Sequence, residues 1–436
     1  MRAKKRTKNI TAIIGGMNDM WGKEDNRINR RDFLKTAGIA GVGSVIAGTK
    51  DSGADANEPN AAAAPQMPVQ KVPRRKLGKT GVEVPVLSLG FGRPGDSVVL
   101  RQALDWGVNH WDTSLSAANG ASEQSIGDFI AKNPDLRKEM FIVTKEANSK
   151  TPDDVEKCLQ TSLKHLNTNY IDLYFGVYMV NNQTRFTEDV RKWAENAKKR
   201  GLIKYFGFST HENMSQCLAA AAKLDWIDAI QTKYDFRLMQ DKQMQESIEA
   251  CHKAGIGLIA MKTQSMRPRG APADANAEAE ADKKMIAHFL QKGFTEGQAK
   301  IKAVLEDQRI SSVCSAMNSS AMLMTNVAAA LDKTKLAAED MDVLKRYAQA
   351  TCSGYCAGCG QICEQAASNM PVSDIMRCLM YHDGYGDVAE AKQVFAQIPA
   401  ETRQRLLSVD YSVAETRCPN RMPIARLVAD AVTKLG

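Results

Sequence analysis

The 436-residue chain has no uninterrupted apolar run of the roughly 18 residues that a membrane-spanning helix needs. No transmembrane span is expected. Aromatic residues are scarce, at 6%, and none interleave with a basic stripe, so nucleic acid is excluded as a natural partner. The formal charge of +8 does not argue otherwise, because residues 1–56 alone hold 11 Lys/Arg against 6 Asp/Glu. The ten cysteines are not spread in pairs, as a disulfide framework in a small secreted domain requires. Disorder is excluded as well, since apolar residues make up 44% and charged residues 25% of the chain. Such a length exceeds one ordinary domain.

The N-terminal segment reads as an address. Asn29–Lys35 spell NRRDFLK, thirteen small or apolar residues follow to Gly48, and Ala54–Ala56 (ADA) form a small-x-small cleavage pattern. A charged region, a short apolar region and a cleavage site make a signal peptide. The Arg30–Arg31 pair resembles the twin-arginine export signal over residues 1–56. The expected location is therefore periplasmic or otherwise extracytoplasmic. Residues 57–73 are Ala/Pro-rich and polar, a linker with no core of its own.

From residue 84 the pattern alternates. Short β-branched or aromatic runs at 84–91, 109–114, 141–146, 170–177, 204–210, 227–234, 257–263 and 310–316 read as buried parallel strands. Helical periodicity separates them at 153–166, 187–201, 242–255 and 319–331, with Gly201 and Gly255 as helix stops. Eight strand–helix units in about 250 residues predict an α/β fold of the (β/α)8 TIM-barrel type. Gly90, Gly92 and Gly95 spell G-x-G-x-x-G, but Pro94 interrupts the phosphate turn and the unit count argues against a doubly wound sheet. In a barrel, polar residues at strand C-termini face the reaction mouth. Here these are Asp112, Lys145, Ser209, His211, Gln231 and Lys262. An Asp beside a Lys either tunes proton transfer or forms a structural ion pair at the rim.

The pieces RKLGKTGVEVPVLSLGFG (75–92), WDTS…NGASE (111–123), FIVTKE (141–146), IDLY (171–174), GFSTHEN (207–213) and MTNVAAA (324–330) resemble the aldo/keto reductase family, in order and in spacing, over residues 74–332. The resemblance implies carbonyl reduction of a small-molecule substrate with a nicotinamide cofactor, NAD(P), using an Asp, a Tyr, a Lys and a His. Asp112 and Lys145 match two of the four. The Tyr position holds Ala117 and the His position holds Val177, so altered chemistry is expected. Tyr178, next to the missing His, supplies a hydroxyl only if the strand end twists. The resemblance places the nicotinamide amide against Ser209 and Gln231, and the phosphate loop at Asn318 and Ser319, without the Arg that favours a 2′-phosphate. Residues 267–282 read as a solvated loop or a lid.

Cys352, Cys356, Cys359 and Cys363 are spaced C-x3-C-x2-C-x3-C. Ferredoxin-type runs use C-x2-C-x2-C-x3-C-P, whereas zinc favours two separated C-x2-C pairs. A [4Fe-4S] cluster is the expected group, with zinc and a degenerate structural site as alternatives. Residues 350–436 resemble the C-terminal ferredoxin-like domain that some aldo/keto reductases carry, with Cys418-Pro419 as the remnant of a second motif. The compact quartet is taken as the ligand set, against three of its members plus Cys418. The expected architecture is thus the barrel followed by a small α-helical ferredoxin-like iron–sulfur domain over 333–436. The implied activity is that of an exported oxidoreductase with a redox partner protein. The rival reading is a non-catalytic electron-transfer or binding subunit that uses the barrel as a scaffold.

Overall fold

The structure, a computed structural model, describes residues 70–146, 149–177, 180–264 and 275–436. The segment read as an export signal and most of the linker lie outside the described residues, as does Tyr178. Residues 70–331 and 335–436 pack as one compact unit, which excludes the connecting Asp332–Thr334. No described helix is long and apolar enough to cross a membrane.

The chain enters through an antiparallel hairpin, β1 (Arg74–Lys76) and β2 (Glu83–Pro85). Its register pairs Arg74 with Pro85 and Lys76 with Glu83. Leu77 and Val84 of this hairpin are fully buried and join a core of Phe141, Val143, Leu173, Phe175 and Ile259. The hairpin thereby plugs the N-terminal end of the barrel. Gly78 makes the approach close enough, because a Cβ there would lie 2.2 Å from the carbonyl oxygen of Gly255.

Eight parallel strands follow: β3 (Leu87–Gly90), β4 (His110–Asp112), β5 (Phe141–Lys145), β6 (Ile171–Val177), β7 (Ile203–Thr210), β8 (Ala229–Lys233), β9 (Gly257–Met261) and β10 (Ser312–Ala316). They hydrogen-bond in chain order and close β10 onto β3 as a barrel. All eight predicted strands are present; seven are shortened at their ends, and β7 begins one residue earlier than expected. Gly201 and Gly255 adopt φ of +73° and +71° just beyond their helices, as the helix-stop reading required.

After β9 the chain departs from the loop expected over 267–282. Residues 265–274 lie outside the described residues, and Ala275–Gln291 is a helix, followed by Glu296–Glu306. The Ala, Glu and Lys that made this stretch look like solvated loop are also the strongest helix formers. Met285 and Phe289 anchor it in a core with Phe236, Leu344 and Tyr347. Helix Ala338–Ala350 thus packs on the barrel's outer layer.

The remaining chain is helical: Gly360–Ala366, Val372–Leu379, Val388–Ala396, Ala400–Arg405, Ser412–Arg417 and Ile424–Leu435, with a π turn at Met380–Gly384. It has its own core, built around Ile375, Leu379, Phe395, Leu406, Leu427 and Val428. This helical segment seats on the loops at the C-terminal ends of the strands. Arg93, after β3, pairs with Asp387 at 2.6 Å. Gln393 donates to the Ser116 carbonyl, after β4, at 2.8 Å. After β7, the Asn213 amide donates to the Gly358 carbonyl at 2.7 Å. Tyr355 donates to Asp235, after β8, at 2.8 Å. Lys262, after β9, donates to the Tyr381 hydroxyl at 3.0 Å. The barrel mouth is covered from several sides.

Candidate active site at the barrel mouth

Asp112 ends β4 and Lys145 ends β5, so the barrel geometry brings their side chains together. Lys145 Nζ lies 2.6 Å from Asp112 Oδ1 and donates to the Thr113 carbonyl at 2.8 Å. Both side chains are less than a tenth exposed. The second oxygen, Oδ2, accepts from Gln231 Nε2 at 3.0 Å and from the Cys314 thiol at 3.5 Å. Burial, and then the Asp112 carboxylate itself, push the Cys314 thiol far up, so it stays protonated and can donate. A buried ion pair with both oxygens and the ammonium satisfied is geometrically fixed. It can present the remaining ammonium N–H to an oxygen of a bound molecule.

Ser209 on β7 faces Gln231 on β8 in the strand register, and both are buried. Gln231 Oε1 is buried with no hydrogen-bond partner. An orphaned acceptor of this kind fits an incoming amide N–H donor. Asn318 and Ser319 sit elsewhere, exposed on the rim after β10. Ser319 Oγ there accepts from the Met322 amide at the start of helix Ser320–Leu331.

Ala117 is buried and begins a 3₁₀ turn, Ala117–Gly120, in which Ala118 and Asn119 take positive φ. Gln393 of the helical segment reaches this turn through the Ser116 carbonyl and Asn119. Val177 closes β6 and is 1% exposed. Neither position offers a proton donor. His211 and Lys262 follow β7 and β9, facing the helical segment rather than Asp112.

Cys356, Cys359 and Cys363 each lie within electrostatic range of Cys418. Burial pushes the thiols of Cys356, Cys359 and Cys363 up, that of Cys359 to about 12. Each of the three is then raised further by Cys418, and Cys359 and Cys363 by Cys356. Cys352 is not among their main electrostatic neighbours. The reason is tertiary. Asn420 donates to the Tyr355 carbonyl at 2.6 Å, which ties the turn after Cys418 to the Tyr355–Cys356 segment. Cys352 instead belongs to the turn that ends helix Ala338–Ala350. Among the described residues no group of three or more His, Cys, Asp or Glu stands ready to hold a metal ion. Thiolates on a cubane lie farther apart than the ligands of a single zinc, each about 2.3 Å from its metal. Cys356, Cys359 and Cys363, whose ionisation burial opposes, are thiols that would give up their protons only to a cation that receives them.

Sequence reasoning missed several residues here. Lys233 donates to the Cys356 carbonyl, and its ammonium lies 4.4 Å from the Tyr355 ring centroid. It stands two residues after Gln231 on one strand, hence on the same face, and that spacing was the available signal. No local pattern marked Cys314, Tyr381 or Arg377.

Comparison with known proteins agrees with the barrel. A sequence model of the Aldo/keto reductase family matches residues 96–344. Aldo-keto reductase yakc [NADP(+)] of Schizosaccharomyces pombe is 30% identical over 212 residues, 43% of this chain and 60% of that protein. Aldo-keto reductase AMT2 of Alternaria alternata is 24% identical, over 42% of this chain and 63% of its own. The chain therefore spans under two thirds of the length of these curated relatives. The holo form of aldo-keto reductase AKR11C1 from Bacillus halodurans superposes with a TM-score of 0.52 at 20% identity, covering 63% of this chain and 96% of that one, a likeness of fold. With a family match across more than half of its length, on a closed eight-stranded parallel barrel, this chain belongs to the aldo/keto reductase family.

Proposed function

We propose that the chain is an exported oxidoreductase of the aldo/keto reductase type whose mouth is capped by an iron–sulfur segment. What supports this reading is the mutual electrostatic influence of the thiols of Cys356, Cys359, Cys363 and Cys418, in a segment that Lys233 ties to the strand bearing Gln231. We assign these four thiols, rather than the quartet with Cys352, as ligands of a [4Fe-4S] cluster. A nicotinamide supplies hydride and a cluster supplies single electrons when bound. The chain's own residues do the rest. Asp112 holds Lys145 in place by their ion pair, Gln231 Oε1 accepts from a carboxamide N–H beside Ser209, and the helical segment keeps water from the mouth. A small-molecule substrate and a redox partner protein complete the reading. The twin-arginine pattern of residues 1–56 supports an extracytoplasmic site of action.

The second reading, a non-catalytic electron-transfer or binding subunit, is favoured by Ala117 and Val177, since neither provides the proton that carbonyl reduction consumes. One experiment separates the two. The protein is purified without air, its nicotinamide content is measured after denaturation, and Ala117→Tyr/Val177→His is assayed for reduction of a simple aldehyde. The enzyme reading expects released nicotinamide and a gain of about 10²-fold or more in the double variant, the usual contribution of a general acid. No nicotinamide and no gain would establish the scaffold reading.

A further inference from the structure

A cavity of about 400 Å³ lies between the barrel mouth and the helical segment. Asp112, Lys145 and Gln231 are not among its lining residues, but Lys233, two residues after Gln231 on β8, is. The barrel contributes Arg185, His211, Lys233 and Lys262, and the helical segment contributes Arg377. Two carboxyls also line it. Asp374 pairs with Arg377 at 2.9 Å, and Glu212 hydrogen-bonds Glu364.

Arg377 and Arg185 have carboxylate partners, Asp374 and Glu146, and the carboxyls of Asp235 and Glu390 lie within electrostatic range of Lys233 and Lys262. Lys233 donates to a carbonyl and lies over the Tyr355 ring. Lys262 donates to the Tyr381 hydroxyl and lies 4.3 Å from its ring centroid. Such contacts solvate an ammonium without cancelling its charge. Lys262 also holds a φ of +61°, uncommon for a residue with a Cβ. Strained backbone of this kind gathers at ligand sites. The imidazole of His211 stands among these cations. Burial first, then Arg377, Lys262 and Lys233, hold it neutral well below its ordinary value. Its Nδ1 is buried and has no hydrogen-bond partner.

We propose that this cavity binds a small organic anion through its carboxylate or phosphate group, with Lys233, Lys262 and Arg377 as charge partners and His211 Nδ1 as hydrogen-bond partner. If the oxidoreductase reading holds, the anion is the charged end of the substrate, and the inference rests on that reading only for the word substrate.

Binding is tested by calorimetric titration of the full chain, at low ionic strength, with succinate and with inorganic phosphate. Saturable one-site binding of at least one anion is expected, and the tighter of the two assigns the group. Lys262→Gln, which keeps a donor for Tyr381, should weaken binding about tenfold, the scale of one charge-assisted hydrogen bond. His211→Asn serves as a second variant where the first does not fold, with the same direction expected. Absence of binding for both anions, or unchanged affinity in a folded variant, would overturn the proposal. The titration needs neither turnover nor nicotinamide, so a chain that binds succinate and reduces nothing contradicts only the oxidoreductase reading.

Discussion

Lys145 and Asp112 form a buried ion pair at the barrel mouth, and their worth lies in mutual satisfaction. Removing one partner leaves the other charge buried. Lys145→Met is expected to cost about 3–5 kcal/mol in urea unfolding, as breaking buried pairs does; a loss below about 1 kcal/mol would show that water reaches the site. His110 makes a different statement. It is fully buried beside Phe141, with ring centroids 5.2 Å apart, and neither nitrogen has a partner. Burial lowers its folded-state value from 6.5 to about 4. Between those values the unfolded chain binds the proton that the folded chain refuses, so folding stability falls as pH drops from about 6.5 to 4. His110→Phe should flatten that fall by up to about 1.4 kcal/mol per pH unit. Parallel pH profiles for the two proteins would instead mean that His110 is hydrated. Asp112, Lys145 and Gln231 were legible in the sequence because strand ends in a barrel share one mouth. Cys314 was not, because a lone Cys in an apolar strand reads as core until its neighbour across the barrel is known.

At the scale of elements, the eight strands could be read because buried parallel strands are short β-branched runs bounded by turns. The β1–β2 hairpin was not separated from the first barrel strand, since Val84 to Phe91 form one apolar run in which only Pro85 and Val86 mark the break. Helix Ala275–Gln291 was hidden by a composition that suits both loop and exposed helix. The cysteine loop shows the limit most clearly. Spacing favoured Cys352, whereas the electrostatic link of Cys418 to Cys356, Cys359 and Cys363 goes with the Asn420–Tyr355 contact, which joins positions 65 residues apart. The same loop docks on the barrel through Gly358, whose φ is +81° and whose added Cβ would lie 2.4 Å from the His211 carbonyl oxygen. Gly358→Ala should therefore lift the loop from the barrel, at a cost of at least about 1–3 kcal/mol, and lower the melting temperature. An unchanged melting temperature would mean that the loop is not seated there.

For the molecule as a whole, the helical segment is both a domain with its own core and a lid on the barrel. Residues from five strand-end loops hold it. Spacing alone could not show this, because Arg93–Asp387 and Lys262–Tyr381 join residues far apart in the chain. The central claim is that the lid carries an iron–sulfur cluster held by Cys356, Cys359, Cys363 and Cys418. It is tested most directly by counting iron and acid-labile sulfide in anaerobically prepared wild type, Cys418→Ser and Cys352→Ser. The account predicts about four of each per chain in wild type and in Cys352→Ser, the content of one [4Fe-4S] centre, and marked loss in Cys418→Ser. A full complement in Cys418→Ser with loss in Cys352→Ser, or no iron in any of the three, would contradict it.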